Sequence, residues 1–293
     1  MTASPLKIWV MAARVRTLPA AVAPVLVGTS LAVSADQFDA AAFICALLGA
    51  VFIQVGTNLS NDYSDARRGA DTEDRLGPVR VTAGGLVPPR QVLVATYVSF
   101  GLAVLCGIYL IVVAGPVLLA IGAASIVAGV LYTGGPKPYG YEGLGELFVF
   151  LFFGIVAVSG SYYVQIQELP WQVFALAVPV GLLASAILVV NNVRDIDTDR
   201  RAGKRTLAVR LGRDRTRLLY VAMLAGAYAF LFVVWAGLCA WVLLALLSLP
   251  LAVRLVGVVR ERTDGPSLNG ALAGTGMLQL VFCLLLSAGV LIC

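Results

Sequence analysis

The chain has 293 residues, of which 60% are hydrophobic and only 13% are charged, and its formal net charge is +5. A soluble domain carries about a quarter charged residues, so this composition argues against a water-soluble enzyme, a disordered chain and a nucleic-acid binder. Histidine is absent. That absence excludes a serine–histidine catalytic pair, a histidine general base and a histidine-ligated metal or haem.

Nine charge-free apolar runs follow one another along the chain, and a helix needs about 20 such residues to cross a bilayer. The break between the third and fourth runs is placed at Gly115-Pro116, and the break near Gly237 rests mainly on length. We therefore predict an all-α membrane protein with nine transmembrane helices around a central cavity. The predicted helices cover residues 18–34, 40–60, 91–113, 116–133, 147–165, 171–193, 218–237, 240–259 and 268–293.

All 21 lysines and arginines fall on one side of this nine-helix scheme. They lie in the N-terminal arm and in the loops that follow the even-numbered helices, whereas the other side carries only Asp36, Asp39 and Glu168. Positively charged loops stay in the cytoplasm. We therefore predict a multi-pass protein of the cell membrane with its N-terminus inside and its C-terminus outside, and a cytoplasmic interfacial arm over residues 1–17.

The five cysteines all lie in apolar stretches, and no pair has CxxC spacing. We expect them to be buried thiols and expect neither a disulfide framework nor a metal site. They are Cys45, Cys106, Cys239, Cys283 and Cys293.

Two polar clusters stand at the cytoplasmic ends of the second and sixth predicted helices. Each begins with an asparagine and continues with aspartates spaced so that the set lines one face of a helix. A shift of 133 residues places the first Asn and Asp of one cluster on those of the other, which suggests two related helical halves. The sets are Asn58, Asp62 and Asp65, and Asn191, Asp195 and Asp199.

Carboxylates that converge in a membrane protein repel one another and usually mark a function. A hard cation relieves this repulsion, and Mg²⁺ is typically held by one or two carboxylates plus substrate phosphates. We therefore expect the four aspartates to hold Mg²⁺ and, through it, a diphosphate. Basic residues that follow the clusters would complete the clamp, namely Arg67, Arg68, Arg80, Arg194, Lys204 and Arg205.

A third segment, residues 132–146, is rich in glycine, proline and tyrosine, which predicts a tightly shaped loop. Tyr132, Tyr139 and Tyr141 suit stacking on an aromatic ring or contact with a cation. The alternative for Tyr139 and Tyr141 is an aromatic belt at the membrane interface. Lys137 is the only basic residue in the segment, and it would suit an acceptor that carries a carboxylate.

The sequence resembles the UbiA superfamily of intramembrane prenyltransferases in the segments 58–85, 132–146 and 191–212. The superfamily's first motif is Asn-Asp-x2-Asp-x3-Asp. Asn61 and the two aspartates after it match that motif, but Gly69 fills its last place. The metal-binding role of the next acids stays open, and these are Asp71, Glu73 and Asp74.

Within the superfamily, the chain is similar to the branch that prenylates 1,4-dihydroxy-2-naphthoate in menaquinone synthesis. The resemblance implies a single integral-membrane domain over residues 1–293, whose cytoplasmic loops 61–90 and 194–217 cap the site. It implies that a polyprenyl chain moves from polyprenyl diphosphate to the naphthoate with loss of CO₂ and diphosphate, giving demethylmenaquinol. The implied ligands of Mg²⁺ are Asp62, Asp65, Asp195 and Asp199, with Asn58 and Asn191 as neutral oxygen ligands. The implied catalytic residues are the same four aspartates and Lys204, and the implied substrate contacts are Asn61, Arg80, Tyr132, Lys137, Tyr139, Tyr141, Asn192, Arg194 and Arg205.

Two alternatives stay open at this point. One is a UbiA-type enzyme with another aromatic acceptor, such as 4-hydroxybenzoate or homogentisate. The other is an ion-coupled transporter, because acids at duplicated helix ends also occur there. Transporters place such groups near the bilayer midplane, whereas these clusters stand at one membrane face beside basic loops. The length of the prenyl chain and the oligomeric state stay open.

Overall fold

A computed structural model describes residues 4–70 and 76–293 of the chain. Within that part the fold is all-helical, with short connections and no β-strand. The α-helices are α1 (Pro5–Ala13), α2 (Pro19–Ser34), α3 (Ala40–Arg67), α4 (Pro89–Ala114), α5 (Val117–Leu131), α6 (Gly145–Val149), α7 (Ala157–Ile166), α8 (Trp171–Arg201), α9 (Leu207–Leu211), α10 (Arg213–Gly237), α11 (Leu249–Glu261) and α12 (Gly265–Ile292).

Seven helical segments of the described residues are long and apolar enough to cross a membrane. An eighth counts if α2 is taken together with the N-terminal arm, from which it is bent by 51°. α5 is a shorter apolar helix of 15 residues. Each predicted apolar run overlaps one of these segments, which supports a multi-pass membrane protein.

A π-helix, Phe150–Val156, joins α6 to α7 in one continuous segment. π-helical turns are rare and often occur at functional sites. Gly154 in this turn packs against Gly181 of α8 so closely that a Cβ on Gly154 would lie 2.6 Å from the Cα of Gly181. Small residues allow such close helix approach in membranes, so this glycine pair brings the π-helical segment directly against α8.

The hydrophobic core lies where α8 packs against α2, α10 and α12. Large side chains such as Leu183, Tyr220 and Phe282 are fully buried there. The main cavity lies elsewhere, among α2 to α8, and no described residue of α10 or α11 lines it. The prediction that all the helices surround a central cavity is therefore wrong for α10 and α11, because their inward faces are filled by core side chains.

The two helices that carry the polar clusters extend beyond the predicted apolar runs. α3 continues to Arg67 and α8 continues to Arg201. A helix of 31 residues such as α8 is about 46 Å long, whereas the hydrocarbon core of a bilayer is about 30 Å thick. The capping segments predicted at 61–90 and 194–217 therefore begin as helical tips, which carry the clusters on regular helix faces.

A small cap covers the end of α3. It consists of the N-terminal helix α1 and the segment 76–88, whose buried valines Val81 and Val87 pack against Ala12 and Leu59. The backbone of Arg14 adopts the left-handed conformation, with a φ of 53°, where α1 turns towards α2. This turn folds the arm back over the tip of α3.

Cys239 and Cys293 form a disulfide, with their Cα atoms 5.8 Å apart. It joins the C-terminal residue, just after α12, to the turn that follows α10. The expectation of free thiols is therefore wrong for this pair, because a separation of 54 residues does not reveal that the two helix ends meet in space. Cys45, Cys106 and Cys283 are free, as expected.

Candidate active site

The main cavity has a volume of about 750 Å³ and is largely apolar along its length. One end is polar, where the tips of α3 and α8 approach the segment 132–146. Most of the site residues predicted from the sequence line this end. The arginine, lysine, aspartate and asparagine side chains there are Arg14, Asn58, Asn61, Asp65, Arg80, Asn191, Asn192, Asp195, Asp199 and Lys204.

Asp65 is the central acid of the first cluster and is only 2% exposed. The hydroxyl of Tyr141 donates to its Oδ1 at 2.6 Å. The guanidinium of Arg80 lies 3.4 Å from its Oδ2, and the ammonium of Lys204 lies 3.7 Å from the same atom. Three side chains from three separate segments therefore fix this carboxylate at the cavity.

The second cluster is organised around Arg194, which is 2% exposed. Its guanidinium donates to both oxygens of Asp195, at 2.8 and 2.6 Å. It also donates to Oδ1 of Asn191 at 2.9 Å and to Oδ1 of Asn269 at 2.7 Å. Arg194 itself does not line the cavity, whereas Asp195 and Asn191 do. Arg194 therefore holds these two side chains from the side that faces away from the cavity.

Lys204 connects the two clusters. Its ammonium lies 3.7 Å from Oδ2 of Asp65 and 3.9 Å from Oδ1 of Asp199. The two carboxylate oxygens are therefore no further apart than the sum of these distances. The same ammonium lies 4.6 Å from the ring centroid of Tyr141, within range of a cation–π interaction. The acids of both helix tips thus converge on one end of one cavity.

The segment 132–146 is a compact loop, as predicted. Gly135 and Gly143 each have a φ of 73°, a conformation that glycine adopts readily. The loop is tied to the segment after α8, because the backbone N–H of Arg205 donates to the carbonyl of Tyr141 at 2.8 Å. The loop therefore bridges the two helix tips.

Aromatic rings form one wall of the cavity next to this loop. The rings of Tyr132 and Tyr139 meet edge to face with centroids 5.5 Å apart, and Tyr139 stacks on Phe148 at 4.1 Å. The hydroxyl of Tyr139 donates to the carbonyl of Ala128 at 2.9 Å, and burial raises the pKa of Tyr139, which keeps that donor protonated. This wall offers π faces to whatever lies in the cavity.

Asp62 behaves differently from the other acids of the clusters. It is 2% exposed, and it does not line the cavity. Its two oxygens accept from consecutive backbone N–H groups, Oδ2 from Val81 at 3.1 Å and Oδ1 from Thr82 at 2.9 Å. Asp62 therefore holds the segment that carries Arg80.

Some predicted site residues lie away from the cavity. Lys137 and Arg205 are exposed and do not line it. Asp197, which points away from its cluster, is 60% exposed and pairs with Arg213 at 2.7 Å. The acids whose role the sequence left open fall outside the described residues, and these are Asp71, Glu73 and Asp74.

The structure adds two residues that the sequence did not single out. Arg14 lines the cavity, and its guanidinium donates to the backbone carbonyl of Asn58 at 3.4 Å. Glu146 is 4% exposed, and its Oε1 accepts from Nδ2 of Asn192 at 2.8 Å. In the sequence, the signals that could have pointed to these residues were the position of Arg14 shortly before the first apolar run and that of Glu146 just before the fifth.

The donor set of the polar end suits a hard cation. Asp65, Asp195 and Asp199 offer carboxylate oxygens, and the clusters add amide side chains beside them. Among residues 4–70 and 76–293, no three acids, cysteines or histidines stand close enough to form a metal cage by themselves. This arrangement fits Mg²⁺, which proteins usually hold through one or two carboxylates together with substrate phosphates.

The fold is shared with solved structures of low sequence identity. A UbiA homolog from Archaeoglobus fulgidus bound to GPP and Mg²⁺ has a TM-score of 0.70 at 14% identity, covering 98% of this chain and 100% of the other. The apo structure of a UbiA homolog from Aeropyrum pernix K1 has a TM-score of 0.67 at 17% identity, covering 94% and 96%. The chain therefore has the UbiA fold.

Several enzymes are more similar to this chain in sequence than these solved structures are. It is 47% identical over 279 residues to the 1,4-dihydroxy-2-naphthoate octaprenyltransferase of Mycobacterium tuberculosis, with 94% of each chain covered. It is 38% identical to the enzyme of the same name from Escherichia coli, again with 94% of each covered. The family model of the UbiA prenyltransferase family matches residues 21–270. The chain belongs to the UbiA prenyltransferase family.

Proposed function

We propose that this chain transfers a polyprenyl group from polyprenyl diphosphate to 1,4-dihydroxy-2-naphthoate, releasing CO₂ and diphosphate and giving demethylmenaquinol for menaquinone synthesis. The observation that carries the proposal is the convergence of Asp65 and Asp199 on Lys204 at one end of an apolar cavity. The names of the similar enzymes support the naphthoate acceptor. The family favours prenyl transfer over ion-coupled transport.

We propose that Mg²⁺ is held at the polar end by Asp65, Asp195 and Asp199, with Asn58 and Asn191 as neighbouring amide ligands. When bound, the ion would neutralise the diphosphate and stabilise it as a leaving group. A geranyl diphosphate complex with Mg²⁺ in a protein of the same fold supports the choice of metal. For Asp62 we propose an anchoring role in place of the ligand role predicted from the sequence, since it does not line the cavity and backbone N–H groups engage both its oxygens.

The basic residues complete the diphosphate site in this proposal. Lys204 and Arg80 lie beside Asp65 and would stabilise negative charge as it develops on the leaving diphosphate. Asn61 lines the same end, where its Oδ1 accepts from the hydroxyl of Thr133 at 2.8 Å, so that its N–H groups can donate to phosphate oxygens. Arg194 keeps Asp195 oriented. Lys137 and Arg205 stay predictions from the sequence.

The reaction balances without a side-chain base. The bond between the prenyl C1 and oxygen breaks, and its electron pair leaves with the diphosphate. The ring carbon that bears the carboxylate forms the new carbon–carbon bond, and the electron pair of the departing carboxylate restores the aromatic ring as CO₂ leaves. No proton has to be removed by the protein, which agrees with a chain without histidine.

The apolar body of the cavity is the proposed site of the polyprenyl tail. Several of its lining residues on α4 and α5, including Val104, Ile108 and Leu119, are exposed. The tail would therefore enter sideways from the lipid, between these helices. The aromatic wall of Tyr132, Tyr139 and Phe148 would face the allylic carbon that becomes electron-deficient.

We propose nine crossings, with the N-terminus and the active site on the cytoplasmic face of the cell membrane and the C-terminus outside. The distribution of all the basic residues supports this orientation. In this arrangement residues 1–293 form a single domain. The arm 1–17 and the segments 61–90 and 194–217 cap its cytoplasmic end.

The proposal is tested by incubating membranes that contain the protein with a polyprenyl diphosphate, Mg²⁺ and 1,4-dihydroxy-2-naphthoate. We expect release of CO₂ and a lipid-soluble quinol, both abolished by a chelator of divalent cations. Asp199→Asn should lose most activity, whereas the matched variant Asp197→Asn, on the exposed side of the same helix tip, should keep it. Prenylation of 4-hydroxybenzoate without prenylation of the naphthoate would contradict the proposed acceptor.

A further inference from the structure

Glu146 is a buried acid that the proposed metal and diphosphate sites do not use. It stands at the start of α6 and is 4% exposed. Within the described part of the chain, no cation forms an ion pair with it, and its Oε2 is buried without a hydrogen-bond partner. An acid buried in a membrane protein without a counter-charge is costly and usually functional.

The side chain of Glu146 has one polar partner. Its Oε1 accepts from Nδ2 of Asn192 at 2.8 Å. Its backbone carbonyl accepts from the hydroxyl of Ser185, which is fully buried on the same helix as Asn192. Because a carboxylate oxygen accepts hydrogen bonds and does not donate them, this contact fixes the amide of Asn192 with its nitrogen towards Glu146.

Because the amide nitrogen of Asn192 points towards Glu146, its amide oxygen is the group that can contact a molecule in the cavity. Asn192 lines the cavity, whereas Glu146 does not. Among residues 4–70 and 76–293, Oδ1 of Asn192 has no hydrogen-bond partner. An amide oxygen is satisfied by a hydrogen-bond donor or by a cation. Phosphate and carboxylate oxygens are acceptors, and a polyprenyl tail is hydrocarbon, so of the two proposed substrates only the ring hydroxyls can satisfy it.

The position of Asn192 along α8 suits this contact. It precedes Asp195 by three residues, which places it on the same side of the helix and about 4.5 Å further from the tip. Its neighbour Asn191 also lines the cavity, and the lining residues beyond this pair of asparagines are the apolar Leu188 and Ile187. Asn192 therefore stands where the polar end meets the apolar body, next to the place that the reacting carbon of the donor must occupy.

We infer that Glu146 is a positioning residue, which turns Asn192 so that its amide oxygen accepts a hydrogen bond from a hydroxyl of the aromatic acceptor. The pair makes the site specific for a hydroxylated ring and contributes nothing to recognition of the diphosphate. This inference rests on the proposed function.

The first test uses the protein without substitution. We compare 1,4-dihydroxy-2-naphthoate with its two monomethyl ethers as acceptors in membranes that contain the enzyme. Loss of the hydroxyl that Asn192 binds leaves a buried acceptor unpaired, so kcat/KM should fall about 10- to 100-fold for one ether. Equal kcat/KM for the parent compound and both ethers would overturn the inference.

The second test uses variants of the pair. Glu146→Leu should raise KM for the naphthoate about tenfold or more, leave KM for the polyprenyl diphosphate and the Mg²⁺ requirement within about twofold, and abolish the discrimination between the parent compound and its ethers. Glu146→Gln retains a carbonyl acceptor for Asn192 and should largely restore discrimination. Glu142→Leu, on the exposed part of the same loop, is the matched control and should behave as the unsubstituted protein.

Other results for Glu146→Leu, and for the unsubstituted protein, would contradict either this inference or the proposed function. A parallel rise of KM for donor and acceptor in Glu146→Leu would indicate general distortion and contradict the inference. A changed Mg²⁺ requirement would indicate that Asn192 is a metal ligand, which also contradicts it. Failure of the unsubstituted protein to prenylate the naphthoate at all, with a different acceptor used, would contradict the proposed function instead.

Discussion

The hydroxyl of Tyr141 donates a 2.6 Å hydrogen bond to Oδ1 of Asp65. The ring of the same tyrosine lies beneath the ammonium of Lys204, which also approaches Asp199. One side chain of the loop 132–146 therefore contacts the acid of one helix tip and the cation that follows the other. These two contacts of Tyr141 explain how two helices that are far apart in sequence hold their acids at a common site.

Removal of the Tyr141 hydroxyl tests the contribution of its hydrogen bond with Asp65 to activity. Tyr141→Phe keeps the ring under Lys204 but removes the hydrogen bond to Asp65. A hydrogen bond to a charged group contributes about 1.5 to 3 kcal/mol, so we expect kcat/KM to fall about 10- to 100-fold in the prenyl transfer assay. Tyr97→Phe, which alters an exposed tyrosine on α4, is the control and should leave kcat/KM unchanged. Equal activity of both variants would rule out a role for the bond.

Lys204 is expected to be the most sensitive basic residue. Lys204→Ala removes the cation that lies between Asp65 and Asp199. Loss of one group that stabilises developing negative charge typically costs 10²- to 10³-fold in kcat, and we expect a loss of about that size. Arg200→Ala, at an exposed position of the α8 tip, should have no effect. Comparable kcat values for the two variants would refute the assignment.

Asp62 and Asp65 should respond differently to the same substitution. Asp62→Asn can accept only one of the two backbone hydrogen bonds from Val81 and Thr82. We expect faster cleavage by trypsin after Arg80 and an unchanged Mg²⁺ concentration for half-maximal activity. Asp65→Asn should raise that Mg²⁺ concentration about tenfold or more, since it weakens a ligand on the cavity. A raised Mg²⁺ requirement in Asp62→Asn with unchanged proteolysis would restore Asp62 as a metal ligand.

The disulfide between Cys239 and Cys293 should stabilise the contact between the ends of α10 and α12. Cross-linking residues 54 apart in sequence contributes up to about 4 kcal/mol in the chain-entropy estimate, and less where the membrane keeps the helices inserted. We expect Cys293→Ser to lower the thermal midpoint of the purified protein and to leave kcat unchanged. Maleimide labelling should modify two additional cysteines after reduction. Full labelling before reduction would show that the pair is not oxidised.

The sequence alone predicted the order of the apolar segments, because a crossing helix must satisfy its backbone internally and cover its surface with apolar side chains. It also located the two acidic clusters, because helical spacing decides which residues share a face. Asp65 and Asp199 could therefore be chosen as site residues from their neighbours in the chain. The resemblance to the UbiA superfamily supplied the chemistry that joins them.

Only the tertiary structure decided which of the polar residues serve the cavity. Asp62 lies one turn from Asp65, yet it faces the segment 76–88, because the packing of that segment presents two backbone N–H groups to it. Glu146 acquires a role only because α6 packs on α8 beside Asn192, and Cys239 meets Cys293 only because α10 and α12 end together. Such contacts join residues that are distant along the chain, and local spacing carries no information about them.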